Sequence, residues 1–433
     1  MSELESIHSE IPGPRSREHA ARLARLETRG VTYLAGDFPV FWTSAYGATV
    51  TDVDANRYLD LTSAFGVAAT GHANPAVARA IADQAMRLPH GMGDVHPSDV
   101  KSALLERLAA LAPVDDARIF LCSSGAESVE FALKTAALAT GKPDVVSFEG
   151  AYHGLSYGTL EVGGIQKFRA PWSDQLRNAA TFVAFPDRRD AASAAVTLAR
   201  IKAVIRDRAT VGAVIVEPIQ GRAGIVIPPD GFLRELRALC DRLDVLLILD
   251  EIYTGFGRTG TMFACERDGV RPDILCIGKA LGGGFPISAT IVARRAADAW
   301  QPSRGEALHT STYLGNPMGC AAALANIDEI ERLQLPERAR GQEMFMRERL
   351  ERLRERTDVV DVRGRGMLWG VEFESAEAAA RCVVCALQRG LILLQSGVRG
   401  ETIALAPPLV IADDQLARAL ELLESVVLEK IAV

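Results

Sequence analysis

Asp250 and Lys279 each close a short apolar run, LLIL before Asp250-Glu251 and ILCIG before Lys279, and glycines 282 to 284 follow the lysine. A lysine held among apolar groups has a lowered pKa and can form a Schiff base with an aldehyde. A buried aspartate can keep a pyridine nitrogen protonated. Together the two describe a site for pyridoxal 5'-phosphate (PLP), whose ring nitrogen takes an Asp or Arg partner when a lysine holds the cofactor. Each residue also has a plainer reading. A lysine before Gly-Gly-Gly suits a surface loop, and Asp-Glu after a strand suits a helix cap.

The flanking elements must place these groups. Apolar runs of this length, bounded by turn residues, fit strands buried on both faces of a parallel sheet. In open α/β sheets the ligand lies beyond the carboxyl ends of the strands, where Asp250 and Lys279 would both stand. Upstream, IFLC reads as a strand, Ser123-Ser124-Gly125-Ala126 as a tight turn, and Glu127 to Thr140 as a helix closed by Gly141. A strand, small-residue turn and helix offer free N–H groups and a positive dipole end to a phosphate. Ser123, Ser124, Gly125 and Ala126 are therefore a candidate cradle, although any βα turn shares this pattern. VVSF predicts a strand, followed by a loop, Glu149 to Gly158, holding Tyr152, His153 and Tyr157. An aromatic there could stack on a planar cofactor; a lone His or Tyr in a loop equally serves structure. VGAVIVE is another buried strand, leading into Glu217, Pro218 and Gln220. A small-residue stretch, LTSAFGVAATG, precedes a helix starting at Pro75, and Phe65 is its one bulky member, either pocket wall or core.

The chain has 433 residues, 48% hydrophobic and 24% charged, which suits a soluble globular protein of two domains. A net charge of −7 without a basic block disfavours nucleic acid as a partner. No apolar run reaches the roughly 18 residues of a membrane helix. The acidic, polar start MSELESIHSE is unlike a signal peptide. The seven cysteines, scattered and odd in number, suit a reducing compartment, so a cytoplasmic location is expected. The CxxC of Cys382 and Cys385 lies on an apolar helical stripe and reads as core packing, and no metal site is expected. The absence of GxxxxGK[ST] excludes a P-loop enzyme.

Strands and helices alternate from about residue 117 to 293, the pattern of a doubly wound α/β domain. Beyond residue 317 the pattern changes to a smaller α+β domain. Its expected parts are helices over 318–333 and 338–356, strands near 359–363, 367–373, 391–394 and 402–406, a helix between the second and third of these, and a last helix from Asp413 to about Leu428. At the start, PGPRSR predicts a non-helical lead-in, EHAARLARLETRG a helix ending at Gly30, and strand-like pieces fall near 40–42, 49–53 and 58–61. The expected division is 1–60 as an N-terminal segment packing with the small domain, 61–325 as a large PLP-binding domain, and 326–433 as the small domain.

The strings SSGAESVEFALKTA, FEGAYHG, EPIQG, LILDEIYTGFGRTG, PDILCIGKALGGGFPISA, HTSTYLGNP and APPLVI stand in this order along nearly the whole chain. In order and spacing they resemble the class III (ω-type) PLP-dependent aminotransferases. The resemblance implies the PLP-dependent transferase fold of type I, a large doubly wound, mixed or parallel sheet domain plus a smaller α+β domain. It implies movement of an amino group between an amino donor and a keto or aldehyde acceptor in a ping-pong reaction. Residue by residue, it makes Lys279 the Schiff-base lysine and proton carrier, and Asp250 the partner of the pyridine nitrogen. Ser124, Gly125 and Ala126 resemble the phosphate cradle, Tyr152 and Ile252 the groups on the two ring faces, and Gln220 the neighbour of the phenolic oxygen. Glu217 falls in a matched motif near the cofactor. Thr312 resembles a phosphate ligand supplied by the other subunit, which implies a homodimer with shared sites.

The match departs from the family at substrate positions. Leu155 and Ala404 stand where many members carry a carboxylate-binding arginine, and Arg222 stands where an acid usually follows EPIQG. Loss of both partners of one salt bridge is coherent, because an unpaired buried charge would cost roughly 3–5 kcal/mol. Either Arg222 binds a substrate carboxylate from the opposite side, or the substrate has no carboxylate near the cofactor and Arg222 faces solvent. Phe65 shapes the substrate pocket in both readings. An amino-acid racemase or aminomutase would use the same Lys279 and Asp250; the string GKALGGGFP counts mildly against a mutase.

Overall fold

The computed structural model describes residues 3–428; the outermost ends of the expected first and last units, 1–2 and 429–433, lie outside the described residues. Three sheets organise them. The first strands are β1 Trp42–Tyr46, β2 Thr49–Asp52 and β3 Arg57–Asp60. Asp52 makes the turn between β2 and β3, its Oδ1 accepting from the N–H groups of Asp54 at 2.9 Å and Asn56 at 2.8 Å. The central strands are β4 Arg118–Cys122, β5 Asp144–Phe148, β6 Ala180–Val183, β7 Val211–Val216, β8 Leu246–Asp250, β9 Ile274–Ile277 and β10 Ser288–Val292. The last are β11 Val359–Arg365, β12 Leu368–Phe373, β13 Leu391–Ile392, β14 Leu394–Ser396 and β15 Thr402–Leu405.

The central strands form one seven-stranded sheet in the order β4-β10-β9-β8-β7-β5-β6. β10 pairs antiparallel with both β4 and β9, while the ladders joining β9, β8, β7, β5 and β6 are parallel. The sheet is thus doubly wound and mixed. Its inner strands are largely apolar because both faces are covered, as in β7, β8 and β9. Along β8, Leu247 and Leu249 pack in the cluster holding Phe232, Leu236 and Leu239 of helix Phe232–Leu243. Leu246 and Ile248 pack with Val129, Ala132 and Ala136 of helix Gly125–Thr140 on the other face. Between β5 and β7 the winding reverses, since β6 lies on one side of β5 and β7 on the other. Such a reversal leaves a crevice beyond the carboxyl ends of the strands.

The other sheets have the orders β1-β2-β3-β13 and β11-β12-β15-β14. β13 runs parallel to β3, so the start of the chain is stitched to its end. Glu5 adds an ion pair to Arg418 at 2.8 Å, and Gln415 donates to the carbonyl of Glu3 at 2.6 Å.

Some boundaries differ from expectation. The first helix is Pro14–Leu26, so Pro14 begins a helix rather than prolonging a lead-in, as a proline at the first helical position can. It stops before Gly30 because Glu27 is already extended. The long helix after residue 316 is Pro317–Arg332; Asn316 caps it, accepting from Met318 N–H at 3.0 Å. Cys382, on helix Ala376–Gln388, is packed in the main core.

Candidate active site

The carboxyl ends of β4, β5, β7, β8 and β9 deliver Ser124, Tyr152, Glu217, Asp250 and Lys279 to one edge of the sheet. Lys279 opens a short 3-10 turn, Lys279–Gly282, with its own φ at +37°. A lysine in this left-handed region is held there by its surroundings. Asn326 supplies part of the hold: its Nδ2 donates to Ala280 O at 2.5 Å and its Oδ1 accepts from the Thr70 hydroxyl at 2.6 Å. The amine of Lys279 lies 4.9 Å from the centre of the Tyr253 ring. Burial pushes this amine below its ordinary value, against the pull of the Asp250 and Glu217 charges. An amine so placed is a better base and nucleophile near neutral pH than a free lysine.

Asp250 is 4% exposed. Its Oδ2 pairs with His153 Nδ1 at 2.7 Å, and its Oδ1 accepts from Ile252 N–H at 3.0 Å. Burial works against a charged His153, but the hydrogen bond to Asp250 and the charges of Asp250 and Glu217 prevail and raise its pKa. The Nε2 of His153 is buried without a protein partner. His153, by sequence a loop histidine without an assigned role, is thus a direct partner of Asp250. The signal was its place one residue after Tyr152; the distance to Asp250, 97 residues along the chain, was hidden.

Glu217 accepts from Tyr152 N–H at 2.9 Å and Gly221 N–H at 3.0 Å. Burial pushes its carboxyl up to about 7, and Asp250 adds to the rise while His153 opposes it. Gln220 donates to Glu149 O at 2.8 Å, tying the β5 and β7 loops together. Glu251, next to Asp250, is fully buried and caps Ala264 and Cys265, so of the Asp-Glu pair it is the glutamate that serves as a cap.

Ser124 is the N-cap of helix Gly125–Thr140, accepting from Glu127 N–H at 3.3 Å, so the helix begins two residues before its expected start. The N–H groups of Gly125 and Ala126 belong to the first turn, which has no intrahelical acceptors. The Ser123 N–H instead donates to Glu127 Oε2 at 2.7 Å. Ile252 packs on this turn so closely that a Cβ on Gly125 would come within 2.8 Å of its Cδ1. The Tyr152 ring lies edge-on to Phe168 at 5.7 Å.

The substrate candidates are more dispersed. Phe65 and Leu155 are 61% and 51% exposed. Phe65 belongs to a left-handed run, Ser63 to Gly66, anchored by Ser63 Oγ on Ala406 O at 2.6 Å. Ala404 is buried on β15 in an apolar cluster with Ile219, Ile225 and Leu368, against which Tyr253 packs. Arg222 is exposed, its Nη1 donating to Gln395 O at 3.3 Å, and its charge acts on the Tyr152 and Tyr253 phenols. Thr312 is exposed in the segment before helix Pro317–Arg332.

A buried carboxylate at the crevice floor, a helix N-terminus open to an anion, and a depressed lysine amine suit the pyridine nitrogen, phosphate and aldehyde of PLP. The family described as aminotransferase class-III matches residues 33–427. This chain is a class III aminotransferase. Such enzymes use PLP to move amino groups from an amino donor to a carbonyl acceptor, and this chain is an enzyme of that kind. Acetylornithine aminotransferase from Methanopyrus kandleri is 40% identical, the alignment covering 88% of this chain and 93% of that one. 4-Aminobutyrate aminotransferase from Mycobacterium leprae is 37% identical over 98% of both. A PLP-bound amine transaminase from an uncultivated Pseudomonas species superposes with a TM-score of 0.86 at 30% identity, covering 93% of this chain and 98% of that one. Among the described residues, no helix of this aminotransferase is long and apolar enough to cross a membrane, and no group of three His, Cys, Asp or Glu could hold a metal ion.

Proposed function

We propose that this aminotransferase works on a primary ω-amine whose carboxylate, where it has one, is held by Arg222 at the rim of the crevice. PLP, when bound, supplies an electron sink for the substrate carbon. The roles of the chain's own groups follow from their positions. Lys279 would hold the cofactor aldehyde and, once freed, would take the proton from the amine-bearing carbon of the donor and, in the second half of the reaction, give one to the carbonyl carbon of the acceptor. Asp250, held by His153, keeps the ring nitrogen protonated. Ser124, Gly125 and Ala126 hold the phosphate; Tyr152 and Ile252 flank the ring; Gln220 serves the phenolic oxygen. Glu217 fixes the backbone of Tyr152 and Gly221 and sets the local charge.

The observation that carries this reading is the convergence of the Lys279 amine with the Asp250 and Glu217 carboxylates at one strand edge. The substrate class rests on the wall around Ala404, which is apolar where an arginine would bind a carboxylate close to the reacting carbon. Acetylornithine and 4-aminobutyrate, after which the relatives are named, both carry a terminal amine remote from a carboxylate.

Thr312, exposed on its own chain beside exposed Leu308 and Tyr313, completes the phosphate site of a second copy, so the working unit is a homodimer with shared sites. The unpaired state of all seven cysteines supports a cytoplasmic location. The division is 61–325 as the large PLP-binding unit and 326–433 as the small one, after an N-terminal segment of 1–60; among the described residues, β3 of that segment pairs with β13 of the small unit.

The test is the visible spectrum of the purified protein on addition of 4-aminobutyrate, and separately of L-glutamate, with Arg222→Ala alongside. Loss of the yellow band with 4-aminobutyrate, weakened in Arg222→Ala, supports the reading. Bleaching that is indifferent to Arg222 sinks the carboxylate role.

A further inference from the structure

Arg222 sits on a turn that is strained and tied at both ends. Ile225, a β-branched residue, has φ +56°, and Gly224 before it has φ +108°. Left-handed backbone at a buried isoleucine persists only where the surroundings impose it. On one side, Ser396 Oγ donates to the carbonyl of Arg222 at 3.0 Å and Gly397 N–H to the same carbonyl at 3.1 Å. On the other side stands Arg363 of β11. Its Nε donates to the carbonyls of Gly224 and Ile225, both at 3.0 Å, and its Nη2 to Gly224 at 2.6 Å. Its Nη1 is held by Asp361 at 3.1 Å and by Glu372. A buried guanidinium thus spends one edge on two adjacent carbonyls and the other end on two carboxylates.

We infer that Arg363 is a positioning residue: clamped by Asp361 and Glu372, it imposes the left-handed Gly224-Ile225 turn and thereby aims Arg222 at the substrate. The second half rests on the carboxylate role proposed for Arg222. The planar fork is essential. Two peptide carbonyls one residue apart lie along one edge of a guanidinium, and an ammonium reaches only part of that pattern. Arg363 spends its donors on Gly224, Ile225, Asp361 and Glu372 and so acts through the backbone of residues 221 to 225.

The experiment uses the PLP-loaded enzyme, with Arg363→Lys and Glu372→Gln as variants. Trypsin cleavage after Arg222, identified by fragment mass, reads the turn itself. The ratio of KM for 4-aminobutyrate to KM for n-butylamine reads the aim of Arg222, because the two amines differ by one carboxylate. We expect Arg363→Lys to speed that cleavage and raise the ratio, each by about tenfold, the equivalent of one charge-assisted hydrogen bond. Glu372→Gln should move both in the same direction by less, and carries the test alone where Arg363→Lys does not fold. Cleavage at the wild-type rate in the folded variants overturns the inference, as does a ratio that moves in Arg222→Ala but not in Arg363→Lys. Faster cleavage with a ratio unmoved even in Arg222→Ala leaves the clamp standing and removes the carboxylate role. Where neither amine is a substrate, the cleavage rate decides.

Discussion

The imidazole of His153 meets the carboxylate of Asp250 at 2.7 Å on the floor of the crevice, and the two are 2% and 4% exposed. The raised pKa of His153 has a definite consequence. Stabilisation from this charged pair is complete below the ordinary histidine value of 6.5 and is lost as pH rises through the higher folded value. His153→Asn should therefore cost most in mildly acid solution, with the gap to wild type closing at alkaline pH. Chemical denaturation of both proteins across that range checks the sign.

Glu217 should behave in the opposite sense to a salt-bridged acid. Its carboxyl is raised from 4.5 to about 7 by burial. The unfolded chain therefore ionises first, and stability falls as pH rises from about 4.5 to 7, then levels. The shift corresponds to roughly 3 kcal/mol. In Glu217→Gln this component of the slope should vanish whatever the baseline stability, and denaturant midpoints at several pH values between 4.5 and 8 would show it.

Gly221→Ala tests a close approach. A Cβ there would come within 2.5 Å of Tyr253 Cδ1, and the Tyr253 ring is the neighbour of the Lys279 amine. Displacing the ring should lower kcat/KM by about a hundredfold, the effect of a misplacement of roughly 1 Å. A steady-state assay beside a melting curve separates this from simple loss of fold.

Lys279→Ala should abolish the yellow cofactor band and reduce turnover by at least about a thousandfold, since it removes both the covalent hold and the acid–base group. Retained turnover would show that another group moves the proton.

Tyr313 and Leu308 are exposed apolar side chains in the segment that holds Thr312. If Thr312 completes the site of a second copy as proposed, Tyr313→Glu should shift the proposed dimer toward monomer and weaken PLP retention together. Light scattering and cofactor loss on dialysis, measured on the same sample, would separate the two effects.

Much of this molecule was legible in its residues. The buried strands could be read because a strand covered on both faces favours continuous apolar runs, as in VGAVIV and LLIL. The helices capped by Ser124 and Asn316 were legible too, although their expected starts lay two residues and one residue beyond the observed ones. Asp250 and Lys279 could be paired because each ends such a strand, and strand ends of a parallel sheet share an edge. The order of the strings then pointed to the family. Other features were decided only in three dimensions. His153 joins Asp250, Arg363 reaches Gly224 and Ile225, and Asn326 holds the Lys279 turn, because distant segments converge on one crevice. The rise in the Glu217 pKa depends on burial beside Asp250, which no spacing encodes. Ile225 in a left-handed turn contradicts its own local preference, and the groups around it, the Arg363 guanidinium on its carbonyl and the apolar cluster with Ala404, come from remote segments. Local sequence sets what a segment prefers; packing against remote segments sets which preference is overruled, as at Ile225.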